Sequence, residues 1–215
     1  MSVWEILGTV LGVIGVALMI RENIWAWPVG IVQVTIYAWV FFAAKLYSDA
    51  LLQGFFFVIL AYGWVHWLRG RHTAAHSELP ITRLSAAATL GWVAVGATVT
   101  AGWGAFMQRS TDAALPFWDA FILVFSLIAQ WLQARKVLEN WVGWLAVNTI
   151  AIGVYWTKDL RLTAALYVVF WLMALWGWRA WRQSLVTYAA AAPAPRNKPR
   201  GEGAASPSTS IDHGP

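Results

Sequence analysis

Seven apolar runs, each about the length of a bilayer crossing, follow one another along this chain: about 3 to 20, 25 to 44, 49 to 68, 84 to 107, 115 to 134, 140 to 157 and 162 to 182. A helix needs roughly 20 apolar residues to cross the hydrocarbon core, where each backbone N–H and C=O must be bonded within its own segment. The runs therefore predict an all-α membrane protein with seven transmembrane helices. A water-soluble domain is excluded by composition, since 60% of the 215 residues are hydrophobic and 12% are charged. The first run has no basic residues ahead of it and carries Glu5, so it is expected to stay as a helix and not to be cleaved as a signal peptide.

The polar breaks are short except for "RGRHTAAHSELPITR" after the third run, and from Ala189 the Pro-, Ala- and Ser-rich sequence is expected to be disordered. Basic residues alternate between the two sides of the predicted spans very unevenly. Eleven fall on one side (Arg21, Arg69, Arg71, Arg83, Arg135, Lys136, Arg179, Arg182, Arg196, Lys198 and Arg200) and four, Lys45, Arg109, Lys158 and Arg161, on the other. The richer side is expected to be cytoplasmic, with the N-terminus outside, the C-terminus inside and the chain in a cell inner membrane. The basic residues lie between apolar runs and not along one stripe, so no nucleic-acid partner is expected. There is no cysteine, which excludes thiolate chemistry and Cys-ligated metals.

Sliding the chain along itself by 114 residues aligns Trp4-Glu5 with Trp118-Asp119, Arg21 with Arg135, Gly63-Trp64 with Gly177-Trp178, and Trp67 with Trp181. A one-residue slip in the middle brings Gly30 onto Gly143, Val34 onto Val147 and Lys45 onto Lys158. Helices 1 to 3 thus repeat as helices 5 to 7 with helix 4 as linker, a 3+1+3 arrangement of two parallel repeats like that of SWEET-like transporters. The expected units are 1–68, the first repeat; 69–114, a loop and the linker helix; 115–185, the second repeat; and 186–215, a disordered cytoplasmic tail.

On the slipped register, Trp141, Trp144 and Asn148 of helix 6 match Pro28, Ile31 and Thr35, so only the second repeat carries an indole and amide stripe. Spacings of three and four put those side chains on one helix face. A buried amide needs a partner, either another helix or a ligand, and the two indoles beside Asn148 favour a ligand. Trp141 lies close enough to a helix end to belong to an interfacial belt, whereas Trp144 is deeper. In helix 3, Gln53, Phe57 and Trp64 align with Tyr167, Trp171 and Trp178 of helix 7, and these faces are expected to line a common cavity; Gln33 of helix 2 is a further polar candidate. For Gln53, helix packing and ligand contact are evenly balanced. Indole faces hold flat rings and attract cations, and an amide bonds hydroxyls, so the stripe suits a flat, cationic, hydroxylated solute.

Glu5, Asp49 and Asp119 lie near span ends, where a proton-coupling role and a structural one are about equally expected for the repeated pair Glu5 and Asp119. His72 and His76 lack partners at metal-ligand spacing, and no metal or cofactor is expected. Gly8, Gly12 and Gly15 give helix 1 a small-residue face for close packing. No HExxH, GxSxG or P-loop is present, so nothing supports an enzyme.

At these residues the sequence resembles the PnuC family of vitamin transporters, whose best-known members carry nicotinamide riboside. The resemblance covers nearly all of 1–185, and its most specific pieces are "PFWDAF", "ARKVLENWVGWLAVN", "KLYSDALLQGFFF" and "YGWVHW". It implies a substrate site built largely from helix 6, with Trp141 and Trp144 as the WxxW pair, Asn148 as its amide and Gln53 as the amide of helix 3. It also implies facilitated diffusion, with a cytoplasmic kinase trapping the substrate by phosphorylation. Nicotinamide riboside, a pyridinium riboside, fits the stripe; thiamine and riboflavin carriers are also similar to the family. A ligand-binding membrane receptor is the alternative from another class, and a homo-oligomer is compatible with either.

Overall fold

The computed structural model describes residues 3–73 and 79–191. They form seven helices: α1 Val3–Ile20, α2 Ala26–Ala43, α3 Tyr47–Thr73, α4 Ala86–Ser110, α5 Pro116–Ala134, α6 Asn140–Thr157 and α7 Arg161–Ala191. A helix stands at each of the seven predicted spans. Two helices run further than expected: α3 continues through His72, and α7 continues to Ala191, so the tail boundary expected at 186 falls inside a helix. His76 and residues 192–215 lie outside the described residues.

Six of the seven helices are long and apolar enough to cross a membrane. The exception is α6, whose sequence is diluted by Asn140, Asn148, Thr149 and Thr157. It packs between α5 and α7, so its polar groups can be held inside the bundle. Helix neighbours run α1–α2–α3–α5–α6–α7 and back to α1, a closed ring of six, while α4 packs on α5 alone among the helices. The segment before α4 is sewn to the α5–α6 turn, with Thr82 N donating to Lys136 O at 3.0 Å and Leu138 N donating to Thr82 O at 2.9 Å. Ser85 then caps α4 by accepting from Ala88 N at 3.2 Å.

The ends of α1, α2, α5 and α6 share one construction. At each, a non-glycine residue takes positive φ, namely Glu22 (55°), Lys45 (61°), Lys136 (56°) and Asp159 (57°). Its N–H and the next one bond back onto the final turn, as in Asn23 N to Leu18 O and Val137 N to Leu132 O, both 3.0 Å. Glu22 and Lys136 are 114 residues apart, and so are Lys45 and Asp159. The bounds of α2 and α6 share that offset. These helix ends stand 114 residues apart with no slip in the middle, which corrects the expected one-residue slip. Identities such as Gly30 with Gly143 suggested the slip, but these positions are not equivalent in the fold. Trp141, Trp144 and Asn148 correspond to Trp27, Gly30 and Val34.

The core that closes one end of the ring obeys the same offset. Trp27 and Trp141 are both fully buried. Each lies across a glycine 36 positions on, Gly63 and Gly177, where an added Cβ would come within 2.4 and 2.5 Å of the ring. Trp67 meets Trp27 edge-on at 5.3 Å, and Trp181 meets Trp141 edge-on at 5.5 Å. Trp67 Nε1 donates to Ala134 O of α5 and Trp181 Nε1 to Met19 O of α1, both at 3.1 Å, so each triplet grips the other. Beside them Lys136 Nζ lies 2.6 Å from Glu22 Oε2, an ion pair between equivalent positions of the two triplets. The small face of α1 is used as expected: Gly8 lies against Tyr37 and Gly12 against the amide of Gln33.

Candidate functional site

Above the tryptophan cluster the six helices of the ring line a cavity of about 440 Å³. That is a volume suited to a vitamin-sized solute. It extends from Met19, Gln133 and Trp141 beside the cluster to Phe41, Asp49 and Tyr155 near the other helix ends.

Of the residues expected to form the site, Gln33, Gln53, Trp141, Trp144, Asn148 and Tyr167 line this cavity. Phe57 and Trp171 do not. The rotation of α3 turns Phe57 outward, 43% exposed, and presents Phe56 and Leu60 to the cavity instead. Trp171 lies alongside α6, where its Nε1 donates to Thr149 Oγ1 at 3.2 Å, and Phe170 takes the cavity position on α7. Trp64 and Trp178 are likewise off the wall, which corrects the expectation of two continuous aromatic stripes. Thr35 bonds to Ile31 O and faces outward.

The two indoles of α6 are held differently. Trp141 is clamped between Gly177 and Trp181, as Trp27 is against its own glycine, so it forms the floor of the cavity. Trp144 is half-buried in the wall, and its Nε1 donates to Gln133 Oε1 at 3.0 Å. Asn148 is 4% exposed and has no hydrogen-bond partner among the described residues. Tyr167 stacks on Tyr155 with ring centroids 5.0 Å apart.

A second polar stripe was not singled out in the sequence. Ser126, Gln130 and Gln133 of α5 are all buried and line the cavity. Their spacing of four and three marks one helix face, and that was the signal available. Buried polar groups normally find partners, and leaving them without costs roughly 1–3 kcal/mol each. Unbonded amides at Gln130 and Asn148, with Gln33 and Gln53 in the same lining, give the cavity the groups to hold a hydrogen-bonding solute. Asp49 adds a carboxylate at the end away from the cluster. Asp119, by contrast, is outside the cavity and is held by Lys158 Nζ at 2.8 and 3.0 Å.

Residues 2–183 match the model of a family described as nicotinamide mononucleotide transporter. The chain belongs to that family. As a member of the nicotinamide mononucleotide transporter family it is a multi-pass membrane transporter and not an enzyme. It is 29% identical to the nicotinamide riboside transporter PnuC of Escherichia coli (strain K12), over 84% of this chain and 85% of that one. It is equally identical, 29%, to the riboflavin/roseoflavin transporter RibM of Streptomyces davaonensis, over 83% and 84%. Its fold is similar to the crystal structure of the vitamin B3 transporter PnuC, with a TM-score of 0.67 and 24% identity over 84% of this chain and 81% of the other.

Proposed function

We propose that this family member imports nicotinamide riboside across a cell inner membrane by facilitated diffusion, for salvage into NAD. The observation that carries the reading is the mixed wall of the cavity, an indole face at Trp144 among the unbonded amides of Gln130 and Asn148. A pyridinium ring gains cation–π attraction on an indole, worth up to about 2 kcal/mol when desolvated, and ribose hydroxyls match the amides. Asp49 at one end of the cavity favours a cation further. Similarity to the Escherichia coli nicotinamide riboside transporter supports the same substrate.

Riboflavin is the second reading, supported by the equal identity to RibM. It too is flat and hydroxylated, but it carries no cation for Trp144 or Asp49 to attract. In the proposed arrangement Trp144 stacks on the ring, Asn148, Gln53 and Gln33 bond polar groups, Trp141 forms the floor, and two parallel three-helix repeats alternate access. The excess of basic residues on one side supports an external N-terminus. A passive carrier needs a sink, which a cytoplasmic kinase acting on the riboside would supply.

The test is calorimetric titration of the purified protein with nicotinamide riboside, thiamine and riboflavin in parallel, followed by uptake into liposomes. Saturable heat and equilibration of unchanged riboside are expected. Binding without uptake would make the protein a receptor, and heat only with another vitamin would replace the substrate.

A further inference from the structure

We infer that Gln133 is a positioning and specificity-determining residue, which fixes the Trp144 indole and reserves the space beside it for a hydrogen-bond acceptor on the substrate ring. The inference rests on the reading that the cavity between the six helices is the transport site. Gln133 ends the cavity face of α5 and is 6% exposed, and its Oε1 accepts from Trp144 Nε1 at 3.0 Å.

An indole N–H can only donate, so the amide atom that faces it must be the oxygen. The chemistry of the pair thus settles the orientation of the carboxamide. Two consequences follow. The indole is held at one angle to the cavity, ready for a ring to lie on it. The amide has also turned its oxygen toward the indole, which leaves at its other end an NH2 group with no partner among the described residues. Gln133 lines the cavity, so a solute held there stands beside that nitrogen. Gln130 and Asn148, which are unbonded, can turn either end of their amides to a ligand; the Gln133 amide is fixed in one orientation, with its NH2 as the end left without a partner. An exocyclic carbonyl on a stacked ring satisfies it, and a ring without that oxygen leaves it unpaired.

The fold itself does not need this bond. At the equivalent positions of the first triplet stand Met19 and Gly30, which cannot form it, yet the α1–α2 turn is closed by the same capping bonds as the α5–α6 turn. The Gln133–Trp144 pair belongs to one side of the cavity only, as a binding feature would.

The experiment compares nicotinamide riboside with the pyridinium riboside that lacks the carboxamide, by calorimetry on the purified full-length protein. Wild-type protein is expected to prefer the carboxamide by about tenfold or more, and Gln133→Met, which installs the residue of the equivalent position, to prefer it less than about twofold. Trp144→Phe keeps an aromatic ring but removes the N–H that orients Gln133, so it too is expected to relax the preference. Adding Gln133→Met to Trp144→Phe should then cost little more, within about twofold, because the pair acts as a unit. Unchanged discrimination in Gln133→Met, or in Trp144→Phe should the first variant not fold, overturns the inference, as does an equal cost of Gln133→Met in both backgrounds. Wild-type protein silent toward both ribosides would overturn the functional reading, and this inference with it.

Discussion

Lys136→Met is expected to be among the most destabilising single substitutions in this protein. The ammonium is 2.6 Å from Glu22 Oε2, and the two side chains are only 2% and 9% exposed. At an effective dielectric of about 20 that separation corresponds to roughly 6 kcal/mol of gross attraction. Desolvating the two ions costs several kcal/mol each, so the intact pair contributes little net stability. Removing one partner is a different matter, because the other charge stays buried. The substitution also deletes the bond from Lys136 Nζ to Leu79 O and the contact with the Trp67 ring at 4.8 Å. A cost of about 3–5 kcal/mol follows, a fall in Tm of roughly 6–20 °C for a chain of this size. The assay is thermal unfolding of detergent-purified protein followed by tryptophan fluorescence. Glu22→Met combined with Lys136→Met removes both charges and is expected to recover most of the loss. A double variant as unstable as Lys136→Met alone would refute the reasoning, since the damage would then lie in packing or in the Leu79 bond and not in an orphaned carboxylate.

Gly63→Ala and Gly177→Ala drive a methyl into Trp27 and Trp141 and should each cost about 1–3 kcal/mol, whereas Gly153→Ala, with open space around it, should be neutral or slightly stabilising; thermal unfolding decides. Asp119→Asn breaks a partly exposed ion pair with Lys158 and should change stability by less than about 1 kcal/mol, with substrate affinity unaltered in titration. Trp144→Ala should weaken riboside binding by about 1–3 kcal/mol, and Trp171→Ala, off the cavity wall, should leave it unchanged; equal losses would move the site. Asp49→Asn should lower affinity for a cationic riboside but not for neutral riboflavin, and a parallel loss for both would give Asp49 a structural role.

The place of each helix was legible in the sequence, though not the full length of α3 and α7, and its rotation was not. A run of about 20 apolar residues bounded by polar breaks places a span to within a few residues, and α1, α2, α5 and α6 end close to where they were expected. Rotation is harder because lipid is as apolar as a protein core. The outer face of α3 carries Leu51, Phe55 and Val58, chemically indistinguishable from the inner Leu52, Phe56 and Leu60. That is why Phe57 and Trp171 were read as cavity residues and Phe56 and Phe170 were not. Amides mark an inner face better than hydroxyls, which can bond their own helix as Thr35 does: Gln33, Gln53 and Asn148 all line the cavity. Gln130 and Gln133 carried the same kind of mark.

The repeat explains how one wall of the cavity became polar. At an offset of 114 residues Gly12, Val16, Met19, Gly30 and Val34 correspond to Ser126, Gln130, Gln133, Trp144 and Asn148, and all ten line the cavity. The first set carries no side-chain hydrogen-bonding group, while every member of the second does. Positions that hold the ring together behave in the opposite way: Trp27 and Trp141, Trp67 and Trp181, and Gly63 and Gly177 are identical across the repeat. A symmetric lining would offer an asymmetric solute two equivalent poses and could not tell one end of it from the other. At these five pairs the first triplet leaves room, notably at Gly30 where an indole would otherwise stand, and the second supplies directional groups, to which Gln33, Asp49 and Gln53 of the first triplet are added from other positions. Identity at these three pairs goes with the packing that closes the ring, whereas the differences at the five lining pairs make the cavity asymmetric. Trp141, whose counterpart is Trp27, belongs to that frame, while Trp144, three residues on, has Gly30 as its counterpart and is the indole that the proposed function assigns to the ligand.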